Sequence, residues 1–154
     1  MSCTHFVTAL TFHRKRLFQN ERYGDLLTEV LMRWRQERSI AVHDYVIMPD
    51  HLHVLFTVKN DAVASAAVTQ LQKAFAKELT LQFGYNGEVW ANDVRDRLVE
   101  SVQDTASCVK MIHSNPVRVG FCETPAEYRM SSKASRWVLD PLPERLRNTE
   151  LERA

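Results

Sequence analysis

Apolar residues along this chain change their spacing several times, and each change marks a new element. The run His5-Phe6-Val7-Thr8-Ala9-Leu10-Thr11-Phe12-His13 is dense in strand formers and ends in a cationic cluster, which predicts a first strand entering a loop. Leu26, Leu27, Val30, Leu31 and Trp34 then recur at helical spacing, with Arg33, Arg35 and Arg38 on other faces, the pattern of an amphipathic helix. Ile40 to Met48 reads as a second strand and His51 to Val58 as a third. Pro49-Asp50 between them is a turn signal, so the two form a hairpin.

Asn60-Asp61 can cap a second helix, in which Val68, Leu71, Phe75 and Leu79 are spaced by three, four and four, with Gly84 and Asn86-Gly87 marking its end. Glu88 to Val99 supplies a fourth strand interrupted by Asn92-Asp93. A third helix is expected from Gln103 to Ser114, because Pro116 disfavours helical geometry at Asn115, and Gly120 adds a further stop. From Tyr128 onward, Ser131-Ser132, Asp140-Pro141-Leu142-Pro143 and a charged end predict a tail with at most a short helix from Glu144 to Leu151. The order β-α-β-β-α-β followed by a helix is that of an α+β, ferredoxin-like sandwich: an antiparallel sheet with two packed helices and a further C-terminal helix. The expected division is a domain over 1–132 and a tail over 133–154.

Composition narrows this only slightly. At 154 residues, with 45% hydrophobic and 25% charged residues, four Gly and five Pro, the chain is ordinary globular material of single-domain size, not a disordered or low-complexity one. It shows neither a leader-like start nor an apolar run near the ~18 residues of a membrane span, which leads us to expect a cytoplasmic protein. Cys3, Cys108 and Cys122 are odd in number and widely spaced, arguing against a disulfide framework or a cysteine zinc site. Net charge is +1, so any nucleic-acid contact must come from local clusters: His13-Arg14-Lys15-Arg16, the arginines of the first helix, and Lys73 with Lys77. Taken singly, each is better read as a solvated face.

The chemistry concentrates in Met48-Pro49-Asp50-His51-Leu52-His53-Val54-Leu55-Phe56. On a strand, His51 and His53 share one face while Leu52, Val54 and Phe56 share the other. Two neutral imidazoles side by side are ligands for a divalent ion with coordination positions left open, a set suited to catalysis rather than to structural closure. Alone, a His-x-His pair is equally an ordinary pair of hydrogen-bonded histidines.

Met48-Pro49-Asp50-His51-Leu52-His53, followed far downstream by Ile112-His113-Ser114-Asn115-Pro116-Val117-Arg118-Val119-Gly120, resembles the REP-associated tyrosine transposases, single-tyrosine relatives of the HUH nucleases. Glu127-Tyr128-Arg129-Met130-Ser131-Ser132, Glu88-Val89-Trp90, His5-Phe6-Val7-Thr8 and Arg16-Leu17-Phe18 extend the resemblance over residues 4–132. It implies a ferredoxin-like fold. It also implies that His51 and His53, with Asn115 as third ligand, hold Mg²⁺ or Mn²⁺ against a scissile phosphate of single-stranded or hairpin DNA, in a monomer or homodimer. In that family a tyrosine then attacks phosphorus, leaving a 5′-phosphotyrosine link and a free 3′-hydroxyl. Arg14, Lys15, Arg16, Lys73 and Arg118 are the expected DNA contacts, and Trp90 is expected in the core more than against a base.

At the nucleophile the chain departs from the family. The family pattern Tyr-Ile-x-x-Asn-Pro is met by Met111-Ile112-His113-Ser114-Asn115-Pro116, and a thioether cannot form an oxyanion. Arg97 and Ala91 are lesser departures. The resemblance therefore implies a transposase-family protein that binds hairpin-bearing DNA with impaired covalent chemistry. Two other readings stay open: an active strand transferase that uses Tyr128, and a non-catalytic DNA-binding or regulatory derivative. Tyr23, Tyr45 and Tyr85 have no motif around them, and Tyr128 sits where the family already has a tyrosine of its own.

Overall fold

A computed structural model of the chain describes residues 2–147. Four strands, β1 (Cys3–Thr11), β2 (Ala41–Met48), β3 (His51–Val58) and β4 (Trp90–Val99), form one antiparallel sheet in the order β2-β3-β1-β4. Helices α1 (Glu21–Glu37) and α2 (Ala64–Phe83) cover one face, and α3 (Val102–Arg118) covers the other. This is the ferredoxin-like α+β arrangement expected from the element order, with the His-x-His strand inside the sheet.

Alternation along the strands decides which helix each face receives. Val7, Ala9, Leu52, Val54 and Phe56 join Leu27, Leu31, Trp34, Leu71, Phe75 and Leu79 in the larger core beneath α1 and α2. On the opposite face, Phe6, Val46, Met48 and Leu55 pack with Val99, Cys108 and Ile112 beneath α3. Asn20 caps α1 by accepting from the Arg22 amide, and Ser101 caps α3 by accepting from Asp104. α2 ends on Gly84 at φ 65°, a left-handed residue that glycine adopts without a Cβ penalty. Trp90 lies on the helix side of β4, where its indole N–H donates to the Gln72 carbonyl and its ring meets Phe18 and Phe75. That is the expected core role.

Four local expectations change. β1 begins earlier and stops at Thr11, because Phe12–Arg14 turns into a 3₁₀ loop with His13 and Arg14 both at φ 54°. Asn92-Asp93 does not interrupt β4: the register shift between Ala9 and Thr11 absorbs the extra residues as a bulge. α3 does not end at Ser114 but continues through Asn115 and Pro116 to Arg118. Pro116 costs one intrahelical hydrogen bond, yet its ring is buried, and the Phe121 amide returns to its carbonyl at 2.9 Å. Of the short final helix, a 3₁₀ turn over Glu144–Leu146 lies within the described residues, and the remainder of that expectation falls outside them.

The chain beyond α3 returns to the sheet. Ser131 bridges Val46, the Ile47 amide donates to the Met130 carbonyl and Ser132 to that of Tyr45, so this stretch lines the outer edge of β2. Further on, Asp140 receives two hydrogen bonds from Arg35 and one from the Val42 amide. Leu146 is buried in the core under α3. Among the described residues no helix is long and apolar enough to cross a membrane, and Cys108 and Cys122 are free thiols.

Candidate functional site

β3 presents His51 and His53 on the α3 face with their ring centroids 4.7 Å apart and nearly perpendicular. Each ring is held by its Nδ1. His51 Nδ1 donates to Asp50 Oδ1 at 2.7 Å, which leaves a lone pair on Nε2. His53 Nδ1 meets Thr8 Oγ1 at 2.8 Å, from the residue directly opposite on β1. With Nδ1–H donating there, His53 Nε2 is likewise available as a ligand. Phe6 stacks on the His53 ring at 5.3 Å. Burial, followed by the charges of His51 and Arg95, pushes the His53 pKa down to about 3, so this imidazole is neutral across the physiological range.

From α3, the Asn115 carboxamide comes within 3.4 Å of His51 Nε2. Its N–H group faces the imidazole lone pair, and rotation of the amide would present its oxygen instead. Because α3 runs through Pro116, Met111, Asn115 and Arg118 lie on successive turns of one continuous helix. Two imidazoles and a carboxamide fit a divalent ion with positions to spare. Among the described residues no three His, Cys, Asp or Glu side chains converge, so a third protein ligand beside the histidines would have to be the amide. Asp50 is partly buried, which alone would raise its pKa, but hydrogen bonds and charge from His51 and Arg14 prevail and hold the carboxylate below its usual range.

The basic residues divide. Arg14 donates from Nε to Asp50 Oδ2 at 2.9 Å, and exposed Lys15 and Arg16 follow it on the loop beside the histidines. Arg118 is exposed at the end of α3. Lys73 does not join them: it is on α2, across the sheet from the pair. Arg95, absent from that set, faces the site because it pairs with Thr8 on β1, opposite His53. Its signal was the two-residue spacing with Arg97, which shares its face and contacts the Phe6 ring and Asp104.

Sequence reading also missed what fixes α3. Asp44, buried on β2, binds His113 Nε2 at 2.6 Å and accepts from the Ser132 hydroxyl, joining the sheet, the helix and the returning chain at one carboxylate. Asp44→Ala removes the acceptor of His113 and one of the two that the Ser132 hydroxyl reaches, the other being the Tyr45 carbonyl at 3.1 Å, and is expected to cost roughly 1–3 kcal/mol, measured as a lower urea midpoint at unchanged m-value. Tyr128 is half-buried, and its hydroxyl donates to the Ile47 carbonyl at 2.7 Å. Burial, with a smaller contribution from Cys122, pushes its pKa up to about 12.

This is a ferredoxin-like domain whose open sheet face, under a single helix, carries a paired-histidine site. The sequence profile of the family described as "Transposase IS200 like" matches residues 2–111, and the chain belongs to that family. A Haemophilus influenzae protein named as a REP-associated tyrosine transposase is 27% identical over 96 residues, which cover 56% of this chain and 54% of that protein. The chain thus spans about half the length of this curated relative. Among solved structures, a REP-associated tyrosine transposase bound to a REP hairpin superposes with a TM-score of 0.72, at 19% identity over 95% of this chain and 88% of that one. A Deinococcus radiodurans protein named as a transposase gives 0.58, at 18% identity over 70% and 86% respectively. At these identities the two structures establish the fold.

Proposed function

We propose that this protein binds single-stranded DNA bearing a hairpin, with a phosphate held at a divalent ion on His51, His53 and Asn115. We further propose that strand cleavage through a phosphotyrosine is impaired in it. The observation that carries the reading is the orientation of the site: both Nδ1 atoms are engaged within the protein, and the Asn115 amide arrives at His51 Nε2 from a second element. Mg²⁺ or Mn²⁺ there supplies a Lewis acid for a phosphate oxygen. Lys15, Arg16, Arg95 and Arg118, with the outer nitrogens of Arg14, border the site and supply the charge that draws a phosphate backbone to it.

Met111 supports impairment, since its sulfur has no proton to lose and no oxygen to place on phosphorus. The alternative nucleophile, Tyr128, is a weak candidate. Its hydroxyl is occupied by a backbone carbonyl, and its raised pKa leaves little phenolate at neutral pH.

Hairpin oligonucleotides with single-stranded flanks are expected to bind more tightly than blunt duplex of equal length, in gel shift or fluorescence anisotropy. Lys15→Glu with Arg16→Glu should weaken hairpin binding and flatten the plot of log affinity against log salt by about 0.7 for each lost contact. Equal binding of hairpin and duplex, or an unchanged salt slope, counts against the reading.

A further inference from the structure

The loop after β1 does more than carry positive charge beside the site. His13 and Arg14 both adopt φ 54°, a left-handed conformation that non-glycine residues rarely hold without outside support. The support comes from the hairpin turn that precedes His51. Thr11 N donates to Asp50 O at 3.0 Å and Phe18 N to Pro49 O at 3.0 Å, bracketing the loop. Within it, Thr11 Oγ1 donates to Lys15 O at 2.7 Å and also reaches Asp50 O at 3.1 Å. The strained residue then directs its guanidinium to Asp50 Oδ2, while the other oxygen of that carboxylate receives His51 Nδ1–H.

We infer that Arg14 and Asp50 are positioning residues for the divalent ion, forming an array in which the strained loop fixes Asp50 and Asp50 fixes the His51 ring. The inference rests on the reading of His51 as a metal ligand given above. A carboxylate on the far nitrogen of a ligating histidine sets the tautomer, the ring angle and the basicity of the ligand. Here that carboxylate has two fixed oxygens, one for the ring and one for the guanidinium, so neither rotates freely. Arg14 is half exposed, and the repulsion between its charge and the ion is screened by solvent. Its orienting effect on Asp50 therefore prevails. The outer nitrogens of Arg14 have no acceptor among the described residues, so the residue can hold Asp50 and meet a phosphate together.

The test is a Mn²⁺ titration by calorimetry on the full chain without DNA, for wild type, Asp50→Ala, Asp50→Asn, Arg14→Gln and the Arg14→Gln/Asp50→Ala pair. Asp50→Ala is expected to weaken Mn²⁺ binding by about 10- to 100-fold. Asp50→Asn should recover part of that loss, because its amide oxygen still accepts from His51 Nδ1. Arg14→Gln should weaken binding at least about twofold in the wild-type background and no further in Asp50→Ala, since it acts through that carboxylate. The inference is overturned if Arg14→Gln has no effect, if its effect persists at full size in Asp50→Ala, or if Asp50→Asn is as weak as Asp50→Ala. Wild-type protein that takes up no Mn²⁺ overturns the metal-site reading, and this inference with it; retained wild-type binding in any of the other failures overturns the inference alone.

Discussion

Met111→Tyr is expected to form a covalent complex with a cleavable hairpin oligonucleotide in Mn²⁺ or Mg²⁺, whereas the wild-type protein forms none on a denaturing gel. Position 111 lies one turn before Asn115 on α3, and Met111 is 39% exposed, while the neighbouring Ile112 is fully buried and carries the packing. A phenol at 111 therefore gains a hydroxyl without disturbing the core under the helix. In the expected reaction the phenolic oxygen loses its proton to solvent and bonds to phosphorus. The P–O3′ bond breaks, and the departing oxygen takes up a proton to become the 3′-hydroxyl. Methionine and tyrosine differ in shape, and an error of about 1 Å in the attacking atom costs ~10²-fold in rate. Even a faint adduct, absent from Met111→Phe, supports the assignment of this position. A strong adduct in the wild type that disappears in Tyr128→Phe would instead make the protein an active strand transferase.

The second large effect concerns the ion. Calorimetry with Mn²⁺ is expected to show one site, weakened more than about tenfold by either His51→Ala or His53→Ala and lost in the double variant. The expectation follows from pre-formed geometry. Thr8 and Asp50 hold the two rings, and His53 is already neutral at physiological pH, so binding displaces no proton from it. Asn115→Ala should weaken the ion less than either histidine change, because a carboxamide oxygen is the poorer donor of the three. Equal affinity in wild type and the double variant would remove the metal assignment altogether.

Most of the fold was legible because its signals are local. The alternation of Leu52, Val54 and Phe56 against His51 and His53 defines β3 and its two faces, and the three-and-four spacing through Leu79 defines α2. The course of α3 beyond Ser114 was not legible. The preference against helix before proline is a local tendency, and burial of the Pro116 ring, a tertiary effect, overrides it. At the site, the histidine pair follows from strand period, but its supports do not. Thr8 reaches His53 only through the β1–β3 register, and Asp44 reaches His113 only once α3 has packed on β2. Asp50 was visible as the neighbour of His51 yet read as a turn residue, because a turn explains an aspartate after proline without any further role. That Lys73 lies apart from the histidines was hidden for a related reason: helical spacing fixes the exposed face of α2, but not the side of the sheet on which α2 lies.

The chain that runs back along β2 bears on where the protein can be shortened. Residues 2–111 carry the family signature, yet they stop partway along α3, before the amide of Asn115 and before the strip from Met130 to Ser132 that occupies the rim of β2. A fragment cut there would present unsatisfied backbone donors and acceptors along that rim, an invitation to pair with another molecule. It would also lack the Leu146 side chain that fills the space beneath the helix. For expression or for grafting the domain into a fusion, a piece that keeps these contacts therefore extends through Leu146, past residue 111 where the match to the family profile ends.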